Sequence, residues 1–391
     1  MTLHRRQLLL SAGLLAGGTV VGCSNADNAP DPSTQTAGPE LESPSPTSPR
    51  PTGSASTTAS SQPSNSPKPS PSEVLGEPVA TDVVTGLTTP WALVPLRDGD
   101  MLVCERDTAT IKQVVGSRAT AIAEIADVVP GGEGGLLGLT ATPDERTVFA
   151  YFTAANENRI VAMTWDGNRL GSPRTILDGI PKGGRHNGGR MVIGPDRALY
   201  VGTGETGDPS LAQDKDSLAG KILRITPLGR PVDDNPFGNE IYSYGHRNVQ
   251  GLAFDPAGRL WASEFGEQTW DELNLIRRGA NYGWPRLEGS GRIDGLVNPK
   301  VVWRTRDASP SGLAYWKGSL YMAALRGRRL WEIPIDGTEA GRPRAHFTSD
   351  YGRLRSVIVA ADGQSLLLTT SNTDGRGDVQ RGDDRILRVT R

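Results

Sequence analysis

The chain has 391 residues and carries 42 Lys and Arg against 44 Asp and Glu, a formal net charge of −2. That balance argues against a nucleic-acid binder, which shows a basic excess. Of its 48 Gly, 42 lie after residue 73, a density that disfavours a helical bundle and suits a fold built on tight turns.

Residues 1–23 read as an export signal. Arg5 and Arg6 precede the apolar run Leu8, Leu9 and Leu10, followed by Leu14, Leu15, Val20 and Val21. Paired arginines before a modest apolar stretch are the pattern of the twin-arginine route. Ser11, Gly13, Gly17 and Gly18 interrupt the stretch, which argues against a permanent span. Gly22 before Cys23 resembles a bacterial lipoprotein cleavage site; the alternative is an ordinary signal peptide with a chance Cys. Lipidation at Cys23 would supply at least two acyl chains, enough for stable anchoring. The domain would then sit outside the cytoplasm, held to the cell membrane by lipid alone. Residues 24–73 contain 11 Pro, 13 Ser and 6 Thr, with no Phe, Trp or Tyr. Such a segment has too few apolar groups to offset ordering entropy, so 24–75 is expected to be a disordered linker. The folded domain is expected over 76–391. Cys104, the second of two Cys, has no partner for an internal disulfide and sits in an apolar run that reads as a strand.

From residue 91 onward an apolar strand, a turn and a second apolar strand recur. Trp91 to Val94 leads through Asp98 and Gly99 to Met101, Leu102 and Val103. The same unit starts again near 137, 191, 252, 313 and 357, with Pro-Asp or Gly-containing corners that favour hairpins. Most units carry a further strand candidate downstream, such as Ile160 to Met163 or Ile222 to Ile225. No stretch sustains helical periodicity. Short sheets repeated at about 50 residues predict an all-β chain, a six-bladed β-propeller preceded by the disordered linker. The segment 79–84 is expected to pair with the last blade, which would cover its open edge. Units three and four are the longest, so their extra residues should lie at a site.

Four clusters stand out on chemistry. Glu133 lies in a Gly-rich run, either as a site carboxylate or as a plain turn residue. His186 is flanked by Gly183, Gly184, Gly188 and Gly189, whose backbone freedom could present the imidazole into a cavity as a general base. The same loop could equally be a turn with a solvated His. Tyr242 to Gly251 brings Arg247, Asn248 and Gln250 together, suited to an anionic or carbonyl-rich ligand or to a hydrogen-bond network between blades. Arg353 and Arg355 alternate in an extended segment, so both guanidinium groups face one side. They read as an anion site or as solvated surface. There is no Walker loop, no dinucleotide fingerprint and no Cys–His zinc spacing.

Together these motifs resemble the glucose/sorbosone dehydrogenase family, soluble six-bladed quinoproteins that use pyrroloquinoline quinone (PQQ) and calcium. The resemblance runs over nearly all of 79–391. It is carried by residues 87–92, 132–138, 186–189, 234–237, 244–248, 271–274 and 281–285. It implies that His186 takes the proton from the C1 hydroxyl of an aldose as hydride leaves C1, giving the lactone. Glu205 falls where the family commonly has Asp beside that His, and would orient the imidazole. Arg247 matches the group that stabilises charge at the reacting oxygen, and Asn248 a cofactor contact. Glu133 matches a position near substrate and cofactor. Arg353 and Arg355 match binders of the PQQ carboxylates, and Arg326 a position often Lys. The carbonyls of Gly266 and Glu267 match the catalytic calcium ligands; Glu272 and Tyr282 match a further, structural calcium site. Electrons would pass to an external acceptor, a quinone or a cytochrome.

Two other readings of a six-bladed propeller stand beside this one. A calcium-dependent lactonase would hold its metal with several carboxylates and Asn facing the channel. A non-catalytic propeller would only bind a partner. The arginines expected in the channel favour a polyanionic cofactor over both.

Overall fold

The computed structural model describes residues 76–391; the expected signal, Cys23 and the linker up to residue 75 lie outside the described residues. Six antiparallel sheets follow one another along the chain. Their innermost strands are Pro90–Pro95, Leu136–Ala141, Met191–Ile193, Val249–Phe254, Pro310–Trp316 and Leu354–Val359. Each apolar repeat of the sequence supplies the first two strands of one blade. Among the described residues the one departure from strands and loops is a 3₁₀ turn, Pro209–Ala212.

Closure takes the expected form. Val79–Val84 joins the last sheet as its outermost strand, antiparallel to Ile386–Thr390, with Ala80 opposite Val389. A strand from the start of the domain thus pairs with its end, and the last blade has no orphaned edge inside the ring. The interfaces between blades hold the core. Trp91, Phe149, Tyr151, Trp261 and Tyr321 are fully buried there, and burial of each aromatic contributes roughly 4–6 kcal/mol of gross transfer free energy. Cys104 is buried with them in Met101–Glu105, its thiol pushed up to about 12 by desolvation.

The inner strands share one direction along the central channel. Trp91, Gln250, Arg353 and Arg355, near their starts, line a cavity at one end. Residues 93–95, 252–254, 313–315 and 357–359, near their ends, line another at the opposite mouth. The extra residues of the third blade form the 203–220 loop after Leu199–Gly202, and those of the fourth form the 277–300 loop after Trp270–Ile276. Both hold residues of the site described next.

Candidate active site

His186 lies in the 181–190 connection that enters the third blade. Its backbone is left-handed, φ +55°, a conformation that costs free energy for a non-Gly residue and persists only where surrounding contacts enforce it. Those contacts are specific. The His186 N–H donates to Glu133 Oε2 at 2.9 Å, and its carbonyl accepts from the Thr206 N–H at 3.1 Å. Asn187 ties the loop to itself, accepting from the Gly183 N–H at 3.0 Å and donating to the Gly183 carbonyl at 2.8 Å. Gly188 follows at φ +63°, where a Cβ would stand 2.5 Å from the Gly202 carbonyl oxygen. Gly183 and Gly188 therefore serve close backbone approach, and the imidazole is buried rather than a solvated turn side chain.

The imidazole Nδ1 meets Glu205 Oε1. The same oxygen accepts from the Gly207 N–H at 3.1 Å, and Oε2 of this buried carboxylate has no partner. Glu205 thus reaches the imidazole from the start of the 203–220 loop, where its own N–H donates to the Arg247 carbonyl at 2.8 Å. Asn248 Oδ1 accepts from the Gly188 N–H at 3.0 Å, while its buried Nδ2 is unpartnered. Arg247 stacks 5.2 Å from the Trp284 ring and donates from Nη1 to the Gly266 carbonyl at 2.5 Å. Its Nε is buried without a partner. Desolvation lowers the Arg247 pKa, and the Glu205 charge offsets part of that.

Glu133 joins this cluster to the channel cavity. Around that cavity stand Arg106, Arg326, Arg353, Arg355 and Arg376, with Glu133 and Asp374 as the carboxylates. Arg353 binds Asp374 Oδ2 through Nε at 3.1 Å and Nη2 at 2.9 Å, and Arg355 Nη2 lies 3.7 Å from the same oxygen. The alternation read from the sequence does turn both guanidinium groups one way. Arg355 also donates to Gln250 Oε1 at 3.1 Å, and burial pulls it down to about 9 against the pull of Asp374. Arg326 is exposed at the rim. Burial opposes ionisation of Glu133, but the His186 N–H and Arg376 outweigh it and hold its carboxyl below the usual range. Beneath the cavity Arg190, which sequence reasoning passed over, stacks 4.3 Å from the Trp91 ring and donates to the Gln250 carbonyl at 2.8 Å. Its buried Nη2 has no partner, and desolvation pulls the group down to about 10. The region is thus rich in donors and short of acceptors, which fits a polyanion.

The residues expected at calcium fall in two places. Gly266 and Glu267 lie in the loop after Leu260–Glu264, next to Arg247, with the Gly266 carbonyl already facing that cation. Glu272 is buried on Trp270–Ile276 opposite Glu264, and Asn274 Nδ2 donates to both carboxylates, at 3.0 and 2.8 Å. Desolvation, then the Glu264 charge, pushes Glu272 up to about 8. Asn274 Oδ1, the other end of that amide, is buried and unpartnered. Tyr282 stacks 4.7 Å from the His246 ring, and its hydroxyl donates to the Leu275 carbonyl at 2.7 Å. No group of three or more His, Cys, Asp or Glu able to hold a metal occurs among the described residues, so a cation at either place would draw part of its ligand set from carbonyl, amide or water oxygens, as Ca²⁺ does. His246 is tied to Ser243 and Glu264 at 2.8 and 2.9 Å, and His346 to Glu332 at 2.8 Å; both are buried in polar networks away from the cavity.

Known proteins resemble this chain over most of its length. The family model for glucose/sorbosone dehydrogenase matches residues 87–386. An aldose sugar dehydrogenase of Escherichia coli is 30% identical over 329 residues, covering 73% of this chain and 88% of the relative. The structure of the PQQ-bound form of an aldose sugar dehydrogenase from Streptomyces coelicolor is 54% identical. It superposes with a TM-score of 0.78, over 80% of this chain and 98% of that one. A putative glucose dehydrogenase structure from Thermus thermophilus is 44% identical with a TM-score of 0.75, over 80% and 99% of the two chains.

Proposed function

The chain belongs to the glucose/sorbosone dehydrogenase family, and from that premise we propose that it oxidises aldose sugars at C1 to the lactone, using PQQ and calcium. The observation that carries this reading is the pairing of a buried His–Glu dyad with a cavity of five guanidinium groups and two carboxylates. PQQ is a tricarboxylate; Arg353, Arg355 and Arg326 would hold its carboxylates, with Asn248 and Glu133 beside it. The carbonyls of Gly266 and Glu267 would hold calcium, and Glu272 with Tyr282 a second ion. When bound, PQQ supplies a two-electron acceptor and calcium a Lewis acid.

The protein's own groups do the rest. Glu205 occupies Nδ1 of His186, which leaves Nε2 as the atom that takes the proton from the sugar C1 hydroxyl. As imidazolium, His186 stays beside the Glu205 carboxylate, so the charge formed in the step meets one already in place. The Arg247 guanidinium, with Nε free, stabilises negative charge building on the sugar oxygen while the C1 hydride departs. Electrons would leave to an external quinone or cytochrome. Export by the twin-arginine route and a lipid anchor at Cys23 would set this chemistry at the outer face of the cell membrane.

The test uses metal-depleted protein, titrated with PQQ with and without Ca²⁺, with dye reduction read across an aldose panel. Calcium-dependent activation that disappears in His186→Ala is the expected result. Absence of PQQ binding at every Ca²⁺ concentration would refute the dehydrogenase reading.

A further inference from the structure

The loop 265–269 carries an unusual convergence. The N–H groups of Glu267, Gln268, Thr269 and Trp270 all donate to one oxygen, Oε1 of Glu288, at 2.8, 3.0, 2.9 and 3.0 Å. Successive N–H groups that converge form a concave nest for an anion. The chain fills this nest with its own half-buried carboxylate, from 18 to 21 residues downstream.

Peptide planarity gives the arrangement a consequence. In a trans peptide the N–H and the preceding C=O point in opposite directions. With the Glu267 N–H held on Glu288, the Gly266 carbonyl must face away from it. With the Gln268 N–H held there too, the Glu267 carbonyl must do the same. The neighbouring bonds agree: the Gly266 carbonyl accepts from Arg247 Nη1 at 2.5 Å, and the Gln268 carbonyl from Thr305 Oγ1 at 3.2 Å.

We infer that Glu288 is a positioning residue, whose carboxylate turns the Gly266 and Glu267 carbonyls outward as a pair preset for the catalytic calcium. This rests on the calcium reading given above. Glu288 acts through the backbone of the loop, with its oxygen on the side opposite the carbonyls. Groups that orient metal ligands in this way typically change metal affinity by about 10–100-fold when removed.

The experiment compares the wild-type chain with Glu288→Gln and Glu288→Ala, all metal-depleted. The readout is the Ca²⁺ concentration that half-saturates PQQ uptake, followed by cofactor absorbance, alongside thermal unfolding without metal. Because the Gly289 N–H donates to Glu272 Oε1 at 2.7 Å, Glu272→Gln is measured in parallel, and only a shift in the Glu288 variants beyond that of Glu272→Gln belongs to the carbonyl pair. Glu288→Gln keeps an accepting oxygen without its charge and should need about 10-fold more Ca²⁺; Glu288→Ala should need about 100-fold more. At saturating Ca²⁺ the Gln variant should recover wild-type kcat with an unchanged aldose KM. Wild-type Ca²⁺ dependence in the variants would overturn the role of Glu288 and leave the dehydrogenase standing. Calcium-independent PQQ uptake in the wild type would remove the calcium reading, and the role of Glu288 with it. Should the Ala variant fail to fold, the near-isosteric Gln variant decides.

Discussion

Replacing Glu205 tests the dyad most directly. The carboxylate is buried beside the His186 imidazole, with one oxygen on Nδ1 and the other unpartnered. Once His186 has taken the sugar proton, two opposite charges face each other, and a centre-to-centre separation of about 4 Å serves for the estimate. At an effective dielectric near 20 their attraction is about 4 kcal/mol. Since about 1.4 kcal/mol is tenfold in rate, Glu205→Ala should lower kcat by roughly 1,000-fold. Glu205→Gln keeps an oxygen for Nδ1 and for the Gly207 N–H but loses the charge, so a fall of roughly 30-fold is expected from about half the interaction. Glu205 does not touch the sugar, and KM should stay within about threefold. The assay is steady-state dye reduction at saturating PQQ and Ca²⁺, run on both variants and on each combined with His186→Ala. In the His186→Ala background the Glu205 change should cost little, because the two act as one unit. A Glu205→Ala enzyme within threefold of wild-type kcat would refute the dyad, and so would a full second loss on top of His186→Ala.

Arg355→Met keeps a long side chain against Trp91 and removes a buried cation that shares Asp374 with Arg353. Loss of a charge-assisted bond worth about 1.5–3 kcal/mol should weaken PQQ binding roughly 10–100-fold, with little loss of apoprotein stability, because Asp374 keeps both bonds from Arg353 and the desolvation cost of the buried cation goes with it. Titration of PQQ at fixed Ca²⁺ checks this, and an unchanged Kd would exclude Arg355 from the cofactor site. Lys221 is fully buried, with Nζ donating to the Leu211 and Ala219 carbonyls at 2.7 and 2.5 Å. Desolvation lowers it from 10.5 to about 7, partly opposed by Asp214. Above pH 7 the folded chain has released this proton while the unfolded chain keeps it up to about 10.5, so the unfolded state binds more protons there. Stability from this group should therefore rise between pH 7 and 10.5 by up to about 1.4 kcal/mol per pH unit, and be flat below pH 7. Denaturant unfolding of wild type and Lys221→Met across that window should differ by this slope; parallel curves would show that Lys221 stays charged in the fold.

How much of this is legible depends on whether a residue's neighbours lie close in sequence. The first two strands of every blade announce themselves, because both faces of an inner strand are buried and the chain answers with apolar runs joined by turn residues. The outermost strands do not: Arg118–Glu124 is largely exposed, and its side chains carry no pattern to read. Arg353 and Arg355 can be paired from alternation alone, whereas their counter-ion Asp374 sits in Thr373-Asp374-Gly375-Arg376 and looks like any turn acid. His186 is ambiguous by itself, and only the family resemblance separates a catalytic base from a solvated turn. Arg190 follows His186 in the same Gly-rich loop, yet nothing local says that it reaches Trp91 and Gln250 across the channel.

Glu288 is the extreme of this trend. Its segment, Arg286-Leu287-Glu288-Gly289, has the composition of a loop, and residues 267–270 are equally plain. The nest exists only when the two meet, because four N–H donors need one anion and neither stretch contains both. The carbonyl direction that follows is then set by peptide geometry, with no side chain at the metal position to mark it. A calcium site built on backbone oxygens can therefore tolerate side-chain change at its ligands while depending on an acid elsewhere. Substitutions at Glu267 that keep the backbone should be milder for calcium than removal of Glu288, although Glu267 is the expected ligand and Glu288 is not.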